Sequence, residues 1–392
     1  MLSQGLTSEN RKLLLDDYFN WDSQLAKAKS DELTSLEIAQ VKESFAFLRK
    51  QLGEDFPQQC LDNNSPINHY FGNRAPWTRI WFNWLAEAIL ELSFSADTAS
   101  LVKKLKSPDG ADFHEAKSIL EVGLKLVKAG FAIQIEGNII NDKGQQKKPD
   151  LIITNPETKE LGLVEITRLT KNPTSIKYES ILQNVYFNGL EHGSNLQFAG
   201  RLFKEVSNEH LQEITAEIDS KLTRYLKSKT FQVVRREGVI EFAFARSDDP
   251  VMKEWAESNK YNLNTFSFPE TDVLSRVRTK IIHKKDQLSS EHPSILVIRN
   301  EESWITAGNY ESIQEGLLET MHRYPQLLAL VLIGVEMGSV SKTISGKGLN
   351  FYVERTERYL HTSKTIMLFN RFCKTKITPH TMMRILDAFE KH

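Results

Sequence analysis

The sequence predicts an α/β fold, a mixed sheet flanked by helices and preceded by a helical N-terminal domain. Three observations carry this. Lys147–Thr154 and Leu161–Arg168 contain two short apolar runs that flank Asn155-Pro156-Glu157-Thr158-Lys159-Glu160, the pattern of a β-hairpin with a polar turn. A helical stretch, Phe113 to Ala129, stops at Gly130 and leads into the alternating strand Phe131–Glu136. Later, Ser294–Ile298 and Leu327–Gly334 are continuously apolar and separated by a helix from about Ser312 to Tyr324, as in parallel strands covered on both faces.

The expected division is a helical N-terminal domain over 1–106 and an α/β domain over 107–392, with a mostly helical insertion at about 171–229. In the first, helices are expected from Ser8 to Tyr18, from Leu33 to Leu52 ending at Gly53, and from Pro76 onward. Phe56 to Pro76 reads as loop, because it carries Pro57, Pro66, Gly72 and Pro76. Trp77, Trp81, Trp84 and Ile89 fall at helical spacing. They form either a buried helix face or an aromatic platform for bases. A partner protein or a second copy would use this helical domain.

Within the insertion, an amphipathic helix runs from His210 to about Lys227, and Thr230–Val234 with Val239–Phe244 forms a hairpin turning at Glu237-Gly238. Thr271 or Asp272 is a plausible cap for a helix reaching Leu288. Gly334 to Gly348 reads as loop, Phe351–Val353 and Thr365–Phe369 as short edge strands, and Thr381–Lys391 as a terminal helix.

Composition sets outer bounds. The chain has 392 residues, 40% hydrophobic and 26% charged, enough for a large core. Its net charge of −1 means that any nucleic-acid surface must be a local basic patch. Cys60 and Cys373 fit neither a metal spacing nor a disulfide framework, which suits a reducing cytoplasm. The N-terminus is charged too early for a secretory signal, and no apolar run approaches the roughly 20 residues that span a bilayer. There is no Walker loop, dinucleotide fingerprint, nucleophile elbow or HExxH pair.

Chemistry concentrates in the hairpin. Asp150 opens its first apolar run and Glu165 interrupts the second among Leu163, Val164 and Ile166. A carboxylate in an apolar strand is costly unless it is paired or binds a metal, and two on adjacent strands repel unless a cation lies between them. Hard oxygen donors of this kind suit Mg2+ or Mn2+. On the preceding helix, Glu115 shares a face with Ile119, Val122 and Leu126, whereas Glu121 lines up with Lys117, Ser118, Lys125 and Lys128. Glu115 is therefore the candidate third carboxylate, with a helix N-terminal acid as its plain alternative; Glu121 is expected at the surface.

Pro149-Asp150 followed by Glu165-x-Thr167 resembles the PD-(D/E)xK nuclease superfamily, whose fold is restriction-endonuclease-like. The segment from about Asp112 to Gly334 follows the superfamily's order of acid-bearing helix, hairpin, helix and further strands. Thr167 stands where the family usually has lysine. That departure implies either an inactive descendant or a lysine supplied from elsewhere. The run Lys284-Lys285-Asp286-Gln287-Leu288 is similar to a K-x-x-Q-L element of divergent members, in which a helix lysine takes over. Lys284 also falls inside the stripe Val273, Leu274, Val277, Ile281 and Leu288, where a lysine must snorkel, pair with an acid or serve a site. Lys280 is its runner-up.

The resemblance implies a Mg2+- or Mn2+-dependent nuclease cleaving phosphodiester bonds in DNA, in a setting such as bacterial defence. Asp150, Glu165 and Glu115 with the Ile166 carbonyl would bind the metal, and Lys284 would act with them. Thr167, Arg168, Lys280 and Gln287 would meet substrate. Two alternatives stay open: an inactive nucleic-acid-binding module of the same fold, and a regulatory protein that binds a partner through its N-terminal helices.

Overall fold

The structure is a computed structural model. It describes residues 12, 15–26, 33–72, 76–140, 146–170, 196–204, 206–267, 273–289, 291–300, 310–344 and 352–390. Contacts divide the chain into one unit of residues 1–169 and 274–392 and a second of 170–273.

The first unit begins with helices α1 (Trp21–Ala26), α2 (Ser35–Leu52), α3 (Phe56–Asp62), α4 (Asn68–Phe71), α5 (Pro76–Ser93), α6 (Ala99–Leu105) and α7 (Gly110–Lys128). Helix α2 starts at a capping box in which Thr34 and Glu37 satisfy each other's backbone N–H groups. The cap of α7 is Asp109, whose side chain accepts from the Ala111 N–H at 2.8 Å. The stretch expected as loop, Phe56 to Pro76, instead holds α3 and α4. Pro57 stands in the first turn of α3, where a missing N–H costs nothing, and Phe56, Cys60, Leu61, Ile67 and Phe71 are all buried. The described side chains of the Trp stripe belong to the core: Trp81 and Ile89 are buried, Trp84 packs against the same cluster, and Trp81 stacks on Tyr70 with ring centroids 3.7 Å apart.

After α7 come β1 (Ala132–Ile135), β2 (Ile139–Ile140), β3 (Gln146–Lys147), β4 (Leu151–Thr154) and β5 (Leu161–Leu169). The chain returns at α10 (Val273–Lys284), β10 (Ser294–Asn300), α11 (Tyr310–His322), β11 (Leu327–Ile344), β12 (Tyr352–Phe369) and α12 (Pro379–Glu390). Six strands form one sheet in the order β1-β4-β5-β10-β11-β12. The β4–β5 hairpin is antiparallel, as its turn demands, whereas β5, β10 and β11 run parallel. Every residue of β10 is buried, the mark of a central strand covered on both faces.

Strand alternation sorts the two faces. Ile133, Leu151, Ile153, Val164, Ile166, Ile295 and Val297 enter one core cluster with Phe45, Phe71, Phe82, Phe113 and Leu126. The N-terminal helices and the sheet thus share a single core. Full burial of each Val, Ile or Leu in it contributes about 1.5–3 kcal/mol. On the other face α10 lies close to α11, where a Cβ on Gly316 would sit 2.7 Å from Leu274. Arg278 of α10 donates to Thr320 of α11 at 3.0 Å.

The region expected as loop and short strands after Gly334 is instead the continuation of β11, paired antiparallel with β12 from Ala329↔Phe369 to Ile344↔Tyr352. Its backbone ladder needs no apolar side chains, so glycine and serine do not end it. The caps Thr271 and Asp272 and the Gly346–Gly348 loop fall outside the described residues.

The second unit holds a four-stranded sheet of order β7-β8-β6-β9, from β6 (Leu196–Leu202), β7 (Gln232–Arg236), β8 (Ile240–Arg246) and β9 (Thr265–Ser267). Helices α8 (Asn208–Ser228) and α9 (Pro250–Ser258) belong to it. The hairpin and the amphipathic helix agree with the sequence. Leu196–Leu202, expected within a mostly helical segment, is a strand. It pairs with β8 at Gly200, where a Cβ would lie 2.2 Å from the Glu241 carbonyl oxygen. Residues 171–195 of the expected insertion lie outside the described set. Among the described residues no helix is long and apolar enough to cross a membrane.

The turn of the β4–β5 hairpin is pinned by α12. Asn155, fully buried, donates to Thr381 Oγ1 at 2.7 Å, and its Oδ1 accepts from the Glu157 N–H at 3.0 Å. Replacing it removes the tie to Thr381, which keeps its bond to Glu160, and leaves the Glu157 N–H without its acceptor in the turn. Asn155→Ala should lower the free energy of unfolding by about 2 kcal/mol in urea denaturation.

Candidate functional site

The hairpin itself brings two acids together. Its register pairs Leu151 with Val164, so the next step outward sets Asp150 opposite Glu165. Pro149, without an N–H, ends the ladder there, and the Asp150 carboxylate turns back to accept the Ile166 N–H at 2.6 Å. Val164 and Ile166 enter the core shared with the N-terminal helices, so Glu165, between them, points to the opposite face. It is 3% exposed. Lys284, at the last turn of α10, donates from Nζ to Glu165 Oε2 at 3.0 Å.

Burial dominates the electrostatics. It pushes the Glu165 carboxyl up to about 7, against the pull of Lys284 and helped by the nearby Asp150. Burial also raises the Asp150 carboxyl; the Ile166 N–H and Lys284 pull it down, and Glu115 pushes it up. Glu115 is therefore close enough to be felt, although its side chain is half exposed and bound to Lys104 at 2.8 Å. Lys280 is drawn down by burial and by the charges of Arg276, Lys284 and Arg168. Arg276, Lys280 and Lys284 all belong to α10, and Arg168 at the end of β5 is near enough for its charge to act on Lys280. Thr167 lies half-buried two residues beyond Glu165 on the same face. Gln287 is exposed in the turn after α10, where its N–H donates to the Lys284 carbonyl at 2.9 Å.

Four further residues at this end of the sheet carried no motif. Lys104 of α6 bonds Glu115 at 2.8 Å and Glu136 at 2.5 Å. The other carboxyl oxygen of Glu136 takes Lys148 at 2.9 Å. Glu136 follows β1 with φ +49°, a left-handed conformation unusual for its type, and its N–H donates to the Asp150 carbonyl at 3.0 Å. Lys147 Nζ donates to the Leu288 carbonyl at 2.8 Å, tying β3 to the end of α10.

Glu121 is not at the surface. It meets Arg299 of β10 at 3.3 Å with side chains only 13% and 10% exposed, and Ser118 and Lys125 beside it are buried. The face of α7 that carries Glu121 turns to Arg299 of β10, and α5, α6 and α12 also pack on α7, so that face is not solvated. Burial lowers the Lys125 ammonium.

No family model matches this chain, and neither does any curated protein or solved structure. Among the described residues, no three acidic, His or Cys side chains are already gathered around a point as ligands. The donor set still fits a hard dication. Two carboxylates share one end of a hairpin, both raised in pKa chiefly by burial, and hard oxygen donors of this kind suit such an ion.

The Glu165 shift has a stability consequence of definite sign. A carboxyl whose folded pKa exceeds its ordinary value favours the folded state at low pH, and this contribution is lost as pH rises toward the folded pKa. From about pH 4.5 to about 7 the metal-free protein should lose roughly 2–3 kcal/mol through this group. Thermal melts of wild type and Glu165→Gln across that range, in chelator, check it: the variant's slope should be the flatter one.

Proposed function

We propose that this chain is a metal-dependent nuclease that hydrolyses phosphodiester bonds in DNA, with a divergent PD-(D/E)xK-type site. The observation that carries the reading is the meeting of Lys284 with Glu165 beside Asp150. Thr167 holds the strand position where the superfamily has lysine, and an ammonium reaches the acid from α10 instead. That favours an active site over an inactive binding module, which has no need of one. The order α7, β1, β4, β5, α10, β10, with an antiparallel meander followed by a parallel strand, also supports the reading.

Asp150 and Glu165, with Glu115 and the Ile166 carbonyl, would hold Mg2+ or Mn2+. The ion, when bound, lowers the pKa of a coordinated water and neutralises charge building on the phosphate. The chain's own groups do the rest. The Ile166 N–H fixes the rotamer of Asp150. Burial keeps competing water from Glu165. Lys284 holds Glu165 and presents further N–H donors to a non-bridging phosphate oxygen or to the attacking water. Lys280, Arg276 and Arg168 concentrate positive charge beside it, which suits a polyanion and implies affinity that falls with salt.

A plasmid-nicking assay with Mg2+, Mn2+ or chelator tests this. Wild type should nick only with metal. Asp150→Ala, Glu165→Ala and Lys284→Ala should each lose at least about 100-fold in rate. Cleavage that persists in chelator, or that survives all three substitutions, would show that the chemistry lies elsewhere.

A further inference from the structure

Lys104 comes from α6, in the helical segment that precedes the acid-bearing helix, and it reaches the mouth of the site. Its Nζ lies 2.8 Å from Glu115 Oε1 and 2.5 Å from Glu136 Oε1. Its charge also pulls down the Asp150 carboxyl. Burial depresses the Lys104 ammonium, but its bonds to Glu115 and Glu136 outweigh this and leave it raised, so it stays charged. Glu136 is anchored twice over: Lys104 and Lys148 share its two oxygens, and its N–H meets the Asp150 carbonyl. A left-handed glutamate persists only where its surroundings hold it.

Four carboxylates thus stand at one end of the sheet: Glu115, Glu136, Asp150 and Glu165. Lys104, Lys148, Lys147 and Lys284 face them. The charges balance without a metal, and the balance is uneven in space. Lys284 serves the buried Glu165, whereas Lys104, 25% exposed on a flexible stem, serves the half-exposed Glu115. A dication arriving at Asp150 and Glu165 would meet one lysine that can swing into solvent and one acid that it would release.

We propose that Lys104 is a built-in counter-ion of the site, which clamps Glu115 against Glu136 in the metal-free protein and yields Glu115 to an incoming divalent cation. This rests on the metal reading of Asp150 and Glu165. It makes the N-terminal helices part of the machinery, since α6 sets how readily the third carboxylate is released.

The competition gives an unusual sign. Removing a positioning residue ordinarily weakens ligand binding; removing a competing cation strengthens it. Calorimetric titration of the full chain with Mn2+ alone, without nucleic acid, should show Lys104→Met binding about tenfold tighter than wild type. Lys104→Gln should behave in the same way, and it covers the case in which the methionine variant folds poorly. Lys104→Arg keeps the charge and should remain near wild type. The metal-free melting temperature should fall in Lys104→Met and recover on adding Mn2+, with a larger upward shift than in wild type. If wild type binds Mn2+ and both neutral variants bind it equally or more weakly, Lys104 is a structural tie and the proposal fails alone. If wild type binds no Mn2+, and Asp150→Ala and Glu165→Ala titrate like it, the metal reading fails and takes this proposal with it.

Discussion

The bond between Lys284 and Glu165 is the constraint on which the site depends. A carboxylate that is 3% exposed in the middle of a six-stranded sheet cannot stay charged without a donor. The donor must come from the face that Glu165 occupies, because the other face is filled with aromatic and aliphatic side chains from the N-terminal helices. Here a helix brings it: α10 delivers Lys284 to that face at its last turn. The chain leaves this unit at Leu169 and returns at Leu274, so this contact joins residues far apart in sequence. The lysine reduces the charging cost without removing it, and Glu165 remains raised to about 7. A group left part-way between its charged and neutral forms is suited to proton chemistry or to a cation.

The same physics operates on the opposite face with a different outcome. Glu121 and Arg299 are also buried and opposed, one on α7 and the other on β10. There the acid has no second carboxylate beside it to repel, and its partner is a guanidinium that stays charged in any surroundings. The result is an ion pair between a helix and a strand. The contrast explains why burial alone does not mark the site. What marks it is the crowding of Asp150, Glu165, Glu115 and Glu136 at the mouth of one hairpin, with lysines facing them.

Much of this was legible in sequence, for reasons tied to particular residues. The hairpin, β10 and the apolar half of β11 show because strand burial writes itself as alternation or as continuous apolar runs. Asp150, Glu165 and Lys284 stood out as charges where apolar residues belong. Glu115 is singled out by helix phase, and it stands half exposed and bonded to Lys104. The failures share one cause, contact between elements distant in the chain. Glu121 and Lys125 look solvated on a wheel because the wheel does not know that Arg299 of β10 meets Glu121 and that other helices pack on α7. Residues 56–71 look like loop because prolines obscure the burial of Phe56, Ile67 and Phe71. Lys104 and Glu136 lie in ordinary polar stretches, and only the approach of α6 to the end of β1 makes them neighbours of Asp150. The one intrinsic oddity, a positive φ at Glu136, belongs to the backbone and leaves no trace in residue type.

That reasoning bears on the missing strand lysine. Thr167 and Glu165 point to the same face of β5, two residues apart, so a lysine at 167 would lie beside the acid and reach over the strand end. Lys284 arrives at the same carboxylate from the helix that covers that face. The two positions are far apart in sequence but equivalent in what they deliver, an ammonium on one side of the sheet within hydrogen-bond reach of one oxygen. On the proposed reading, what such a site requires is a face and a distance, and not a slot in a motif. A strand position ties the lysine to the backbone of the acid it serves. A helix position ties it instead to the packing of α10, whose Ile281 and Val277, about one and two turns before it, are fully buried. Any change that shifts α10 along the sheet will then move the ammonium and leave the carboxylates in place, so the helix is a point at which this site can be tuned independently of its acids.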